Sequence, residues 1–549
     1  MTELKYNWLP HLNGKAIVPS AARGDKLSMY SIALEGWRRG LELTFYSHKR
    51  GNKIEVTYSL RNNEKVHHFA VSKGDLVTPQ TMKIAKSKIL TKEKLINAEV
   101  PVPRGKEFSE GSTDDEILQR SSTLNFPIVL KPTNGNLGKG VIAGINTLEE
   151  LSDSLKYVRG ELGFKDVIVE EFVEGDEYRV YVVKGEVIAA TNRVPANIIG
   201  DGVSTVKELI EKKNKERKRN PNLSSRLIKV DKELIRNLDQ GGYSLESILG
   251  KNAQFYLRRT SNISTGGDPI DVTDDLTNNI KDIATRACET IGLIQGGIDI
   301  IVNKEKDTGY VIEANTRAGI GMHLFPMVGE ARDIPSFIID CYFPETKNNK
   351  KNNSKKQQLL YFDFETIFQK LNDRTLEEIK VPSIYSETLM FKSILIQGDV
   401  CKANYYRWLK RKAQKLDISG SLERKSPNEI HLVTVGKKKD VEGLVEIIQT
   451  EEPTNIEIDD VEVSSWSKPV KIGFELIKEN NNIKKIEQNL RNEQKINFQM
   501  KKEYLEDIAK LRNQKKKAEK KYNSVIKSKT WRYTSPIRKF AKKMLNLVK

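Results

Sequence analysis

The segment Tyr310-Val-Ile-Glu313-Ala-Asn315 constrains the fold of this chain more than any other. It reads as an apolar strand, yet it carries two oxygen donors at i and i+2, positions that share one face of a strand. Upstream, Gly296-Gly-Ile-Asp299-Ile-Ile-Val offers a further carboxylate on another apolar run. Two such strands belong side by side in a sheet with one face turned to a ligand. Hard oxygen donors converging beside a triphosphate are what Mg²⁺ requires, so Asp299, Glu313 and Asn315 are the candidate metal ligands.

A phosphate-handling end is legible in Phe126-Pro-Ile-Val-Leu-Lys131-Pro-Thr-Asn-Gly135-Asn-Leu-Gly138-Lys-Gly140-Val141. An apolar strand delivers Lys131, and glycines after it let backbone N–H groups approach phosphate oxygens. The string is not a Walker loop, because Lys139 is followed by glycine. Taken alone it reads equally as a β-hairpin with a surface lysine. Some thirty residues on, Val167-Ile-Val-Glu170-Glu-Phe-Val173-Glu-Gly-Asp-Glu177 ends a buried strand in carboxylates. They suit adenine N–H groups and ribose hydroxyls, or else an edge strand with solvated acids. Between these motifs, Arg258-Arg-Thr-Ser-Asn262-Ile-Ser264-Thr265-Gly266-Gly267 offers arginine and a small-residue loop suited to an acyl-phosphate or an oxyanion.

Taken in order, these motifs resemble the ATP-grasp superfamily, and most of all the ATP-grasp domain of cyanophycin synthetases. The likeness covers residues 80–345 and includes Ala98-Glu-Val-Pro-Val-Pro-Arg104, Asp271-Val-Thr-Asp274 and Gly321-Met-His-Leu324. It implies an α/β chain whose ATP-grasp fold clasps ATP between two α+β subdomains. The implied activity is a carboxylate–amine ligase that uses ATP and Mg²⁺ and joins a small-molecule or peptide carboxylate to an amine. The resemblance assigns Lys88 and Lys131 to the phosphates, with Gly135, Gly138 and Gly140 closing over them. Glu170 and the backbone near Val173 would hold adenine, and Glu177 the ribose. Asp299, Glu313 and Asn315 would hold Mg²⁺, and Arg258 and Asn262 would steady the transferred phosphoryl group. Arg179 and Arg193, with Ser264, Thr265 and Gly266, would face the substrate. Two departures stand out: the family's Pro-Gly after Glu-x-Asn is Ala318-Gly319, and the arginine expected before Met322 is Gly321. Both leave ATP chemistry intact and bear on the substrate.

Residues 391–476 resemble acylphosphatase, an α/β sandwich, through Lys392-Ser-Ile-Leu-Ile-Gln-Gly398-Asp-Val400 and Leu416-Asp-Ile-Ser-Gly420. That family's loop arginine and its asparagine fall on Tyr406 and Arg424, and Arg407 sits one place late. One residue is about 100° around a helix, so the expectation is a degenerate binding or docking module, with acylphosphatase activity as the alternative. For the ATP-grasp domain the alternative to a ligase is a non-catalytic ATP-binding protein.

The resulting organisation is an N-terminal α/β lead-in (1–80), the ATP-grasp domain (81–345), a linker (346–388), the acylphosphatase-like domain (389–477) and a basic tail (478–549). Net charge is +18, but the last 72 residues hold 22 Lys+Arg against 7 Asp+Glu. The body is therefore nearly neutral, which argues against nucleic-acid binding. Three scattered cysteines and a start without an apolar signal core lead to the expectation of a reducing cytoplasm. Apolar positions such as Ile483, Ile486 and Leu490 follow a broken coiled-coil spacing compatible with a homodimer. Ser535 reads as the cap of a helix with Pro536 at its first position, whose face Ile537, Phe540, Ala541, Met544 and Val548 make apolar among lysines. Such a helix suits an anionic membrane surface, at the inner face of the cytoplasmic membrane. The segment Lys529–Arg538 also resembles short tails of bacterial surface-glycan glycosyltransferases, which points to cell-surface polymer or peptide biosynthesis.

Overall fold

The computed structural model describes residues 11–12, 15–134, 140–347, 357–384, 388–426, 428–451, 453 and 456–477, and in the tail 500, 505, 508, 512–521, 523–524 and 527–546. Its centre is a five-stranded antiparallel sheet in the order Asp268–Asp271, Glu186–Val194, Asp176–Val183, Gln295–Asn303, Thr308–Asn315. Helix Asn278–Ile291 covers one face, with Ile280, Ile283, Ala284 and Ala287 packed on Val180, Ile298 and Ile300. Period-2 alternation puts the polar residues on the other face, as expected of a sheet buried on one side and open on the other.

A second sheet, Gly105–Phe108, Val167–Glu171, Ile128–Pro132, Ile142–Ile145, stands opposite that open face with its own small core around Leu130, Leu151 and Val169. A third unit caps the cleft end. Helices Val206–Arg219 and Lys232–Gln240 pack on the antiparallel strand pair Asn197–Ile199/Gln254–Tyr256, between whose strands they lie in the chain. Thr205 and Glu208 close a reciprocal capping box at the start of the first of these helices.

The N-terminal expectation of helix then strands is realised as Leu27–Arg38, all twelve residues buried, against Glu42–Arg50 and Lys53–Arg61. The assignment of 346–388 to a linker differs from the structure in its second half. Residues Phe364–Asn372 form a helix capped by Asp363, and Glu378–Lys380 adds an edge strand to the N-terminal sheet beside Thr44–Tyr46. Phe362 and Phe364 are buried against Tyr30, Trp37 and Phe45. The polar run at 348–356 lies outside the described residues.

Residues 389–477 form a five-stranded sheet, Ile458–Ser465, Leu389–Gly398, Glu429–Lys437, Ser419–Ser426, Phe474–Ile477, with helices Ala403–Lys415 and Lys438–Thr450 on one face. Leu360–Tyr361 pairs in parallel with Val470–Lys471, tying this unit to the N-terminal one.

In the tail, the helix begins at Ser535 itself rather than being capped by it. Thr534 precedes the helix without a side-chain cap. Ile537, Phe540 and Met544 are exposed on one side of it. The 483–490 stretch, the dimer it was expected to set, and Val548 lie outside the described residues.

Candidate active site

The two sheets enclose a cleft of 1680 Å³, well above what one mononucleotide fills. One wall comes from the smaller sheet. Lys131 lies near the end of strand Ile128–Pro132 and forms a close ion pair with Glu170, two residues along Val167–Glu171 from its register partner Ile168. Lys92 adds a second contact to Glu170 at 2.8 Å. Burial alone would raise the Glu170 carboxyl, but Lys131 and Lys92 outweigh it and hold the group below its ordinary value. Lys88 opens helix Lys88–Asn97 and donates to the Pro132 carbonyl at 3.1 Å. Burial, then the nearby Lys131, pushes its ammonium pKa down. Lys92 escaped the sequence reading, although it sits one helical turn from Lys88 and that spacing could have shown it. Past Glu170 the strand ends at an exposed Phe172 and at Val173, both lining the cleft. Of the glycine loop, Gly140 is described with φ +79°, while Gly135 and Gly138 lie outside the described residues.

The opposite wall is the polar face of the central sheet. Arg179, Asp299 and Glu313 sit in one cross-strand row, because Arg179 pairs with Asp299 and Asp299 with Glu313. Asn315 lies opposite Gly297, two residues along. Arg179 grips Asp299 through both carboxylate oxygens at 2.6 and 2.7 Å, and Arg193 reaches the same group at 2.8 Å. Burial would raise the Asp299 carboxyl, but the two guanidiniums hold it below its ordinary value. Glu177, pushed up chiefly by burial, makes close contacts with Arg193 and the Ser261 hydroxyl. Beneath this row His323 accepts or donates through Nδ1 at Thr191 (2.7 Å), and burial keeps its pKa down at about 3, so the ring is neutral.

Glu313 and the lysine wall meet: Lys88, Lys92, Lys131, Glu170 and Glu313 line one small hollow of 20 Å³. Among the described residues no trio of His, Cys, Asp or Glu forms a metal cage by itself. Asp299, Glu313 and Asn315 instead supply two carboxylates and an amide oxygen on adjacent strands. Glu313 and Asn315 turn oxygens to the cleft and suit a Mg²⁺ ion completed by phosphate oxygens, whereas Asp299 departs from the expectation of a ligand, since both its oxygens are held by Arg179 and Arg193.

Arg258 departs from the expectation of a clamp. It is 3% exposed, and its guanidinium is taken by Asp231 at 2.6 Å, by Glu233 and by the Thr265 and Lys229 carbonyls. It anchors the loop rather than projecting from it. Asn262 accepts from the Ser264 N–H at 2.9 Å and the Ser264 hydroxyl at 2.8 Å, fixing the turn Ile263–Thr265 at the cleft edge. Gly266 follows at φ +109°, where a Cβ would lie 2.7 Å from Ile228, so no other residue fits the turn.

In the 389–477 unit, Tyr406 lies in the first turn of Ala403–Lys415, and Arg407 turns back to the Ala403 carbonyl at 3.2 Å. Arg424 donates to the Ser426 carbonyl at 3.1 Å. Lys402 forms a close ion pair with Asp399 within the loop.

Two walls of antiparallel sheet holding lysines on one side and acidic strands on the other define an ATP-grasp domain. A profile of the RimK-like ATP-grasp domain matches residues 83–212, and one of acylphosphatase matches residues 392–476. The chain carries both domains. It is similar to a cyanophycin synthetase of Synechocystis sp., at 34% identity over 261 residues, covering 46% of this chain and 30% of that protein. It is also similar to a bifunctional glutathione biosynthesis protein, GshAB, of Clostridium perfringens, at 32% identity over 338 residues, covering 58% and 41%. A crystal structure of the bifunctional glutathione synthetase of Pasteurella multocida aligns at 28% identity and TM-score 0.42, over 53% of this chain and 40% of that one. The chain thus spans 30% to 41% of the length of the two curated relatives.

Proposed function

We propose that the protein is an ATP-dependent carboxylate–amine ligase. The observation that carries the reading is the meeting of Lys88 and Lys131 with Glu313 across one cleft. In this reading Lys88 and Lys131 neutralise the phosphates, the hinge at Glu170–Val173 seats adenine, and Glu177 faces the ribose. Glu313 and Asn315 would hold Mg²⁺, which when bound would supply charge neutralisation at the transferring phosphoryl group. Arg179 and Arg193, which hold Asp299 and Glu177 in this structure, would turn part of those contacts to the substrate carboxylate, and the loop at Asn262–Gly266 covers the reacting centre. The carboxylate oxygen attacks the γ-phosphorus and the bond to ADP breaks. The amine then attacks the acyl carbon of the resulting acyl-phosphate, expelling phosphate, and loses its proton to leave an amide. The cyanophycin synthetase and GshAB likenesses support this class. Neither names the carboxylate or the amine for this chain.

Hydroxylamine separates a ligase from a protein that only binds ATP. With ATP, Mg²⁺ and a pool of amino acid, peptide and uronic-acid carboxylates, it should trap the acyl-phosphate as a hydroxamate in step with ADP release. ADP-free, hydroxamate-free mixtures under saturating nucleotide would leave ATP binding alone.

The acylphosphatase-like domain is proposed to dock rather than to hydrolyse, since Arg407 and Arg424 are both drawn back onto their own backbone. The whole protein should hydrolyse benzoyl phosphate no faster than buffer. Hydrolysis that disappears in Arg407→Ala would restore the phosphatase reading.

The tail is proposed to hold the enzyme at the cytoplasmic face of an anionic membrane, where it would act on a cell-surface polymer precursor. Among the described residues no helix is long and apolar enough to cross a membrane. The helix Ser535–Leu545 exposes Ile537 and Phe540 at 69% and 70%. Basic residues near such a surface contribute roughly 1 kcal/mol each. The full chain should co-sediment with vesicles containing phosphatidylglycerol, and a version ending at Ile526 should not. Equal binding to neutral vesicles would remove the membrane assignment.

A further inference from the structure

The cleft is longer than the ATP site, and its far wing is built by three turns that the sequence separates widely. They are the N-terminal turn at Gly24–Ser28, the turn at Asn222–Arg226 and the turn at Gly319–Met322. The first docks on the second: the Gly24 N–H donates to the Pro221 carbonyl at 3.0 Å, and Arg226 reaches Asp25 at 2.5 Å. Ser28 ties the first to the third by accepting from the Ile320 N–H at 3.1 Å.

Asn222 stands where the three meet. It is 4% exposed, lines the cleft, and its Nδ2 has no hydrogen-bond partner. The orientation of the amide is fixed, because Arg226 Nη1 donates to its Oδ1 at 2.5 Å, leaving Nδ2 as the group without a partner. A buried donor left unmade costs free energy, so such a group marks the place of an acceptor. Arg193 adds a second buried donor without a partner, Nε, in the same cleft. Of the wing's cations Arg226 is paired with Asp25 and Arg317 with Glu55, which leaves Lys26 as the excess positive charge. Gly321 is what makes room: a Cβ there would lie 2.5 Å from Asn222 Oδ1. The residue that replaces the ATP-grasp arginine before Met322 therefore allows Asn222 its position.

We propose that this wing is a second anion subsite, in which Asn222 Nδ2 donates to a carboxylate of the substrate other than the one that reacts. The inference rests on the ligase reading and narrows its substrate to a molecule with two carboxylates held apart. One carboxylate lies at Arg179 and Arg193 beside the metal face, and the other at Asn222 under Arg226 and Lys26. No covalent step occurs at the wing; it positions and selects.

Binding without turnover tests it. The full chain, loaded with Mg²⁺ and a non-hydrolysable ATP analogue, is titrated calorimetrically with dicarboxylates from malonate to azelate and with monocarboxylates of matching length. One window of dicarboxylate lengths should bind at least about tenfold tighter than its monocarboxylate counterparts, the effect of one hydrogen bond to a charged partner. Asn222→Ala, Asn222→Asp and Gly321→Arg should each remove that preference, and affinity for the ATP analogue in the same samples reports their folding. Equal affinity for di- and monocarboxylates in the wild type overturns the subsite, as does a preference that survives Asn222→Ala. Failure of the ligase reading would appear elsewhere, as missing hydroxamate, and does not enter this comparison.

Discussion

Glu313→Gln is expected to lower the rate of ADP formation by at least about a thousandfold, on the scale of losing a group that neutralises transition-state charge. Glu313 is exposed into the cleft on strand Thr308–Asn315. The change keeps the shape and removes one charge, so stability should move by no more than about 0.5 kcal/mol. Asn315→Ala tests the same face by removing the amide oxygen and should be nearly as damaging. Stopped-flow ADP release and a urea melt on the same samples check both halves. Full activity in both variants would place the metal elsewhere.

Arg179→Met is expected to cost about 3–5 kcal/mol of stability, because it strips a buried carboxylate of its bidentate partner. Asp299 is 1% exposed and would keep only Arg193. Urea midpoints should show the loss. Arg179→Met combined with Asp299→Leu should recover most of it, since a buried pair replaced by apolar groups of similar volume is often neutral. Activity would be lost in both, for different reasons. The pH dependence has a definite sign. The Asp299 carboxyl is held below its ordinary value, so its stabilisation is complete above the unfolded value of about 3.9 and fades as pH falls through the depressed folded one. A double variant that melts as early as the single would show that the network, not the orphaned charge, is what the sheet needs.

The elements with short-range periodicity were readable from the chain. Glu313 and Asn315 fell on one face because a strand has period 2, and Lys131 fell at the end of an apolar run before glycines. The adjacency of Asp299 and Glu313 followed from placing two apolar strands together. What escaped was decided by distant partners. Arg258 looked free in sequence because Asp231 and Glu233, which hold it, come from the start of helix Lys232–Gln240. Residues 364–372 looked like linker because their aromatic neighbours Phe362 and Phe364 follow a run of Lys and Asn. Their partners Tyr30 and Phe45 lie more than three hundred residues upstream. Asn222 carried no motif, and only the convergence of three turns gives it meaning.

The seam between the N-terminal unit and the acylphosphatase-like sheet has a consequence for inheritance. Phe391, Val433 and Val435 point away from that sheet's own helices, and they are buried in one continuous core with Tyr30, Trp37 and Phe362. An α/β sandwich of this kind usually keeps its second sheet face wet. Here that face is upholstered with apolar side chains and needs its neighbour to stay dry. Recombination that lifted residues 389–477 alone into another gene would carry off an oily face with no cover, prone to self-association. The module is therefore no longer portable: mutations at the seam must be matched on both sides, and the two parts are bound to drift through sequence space as one.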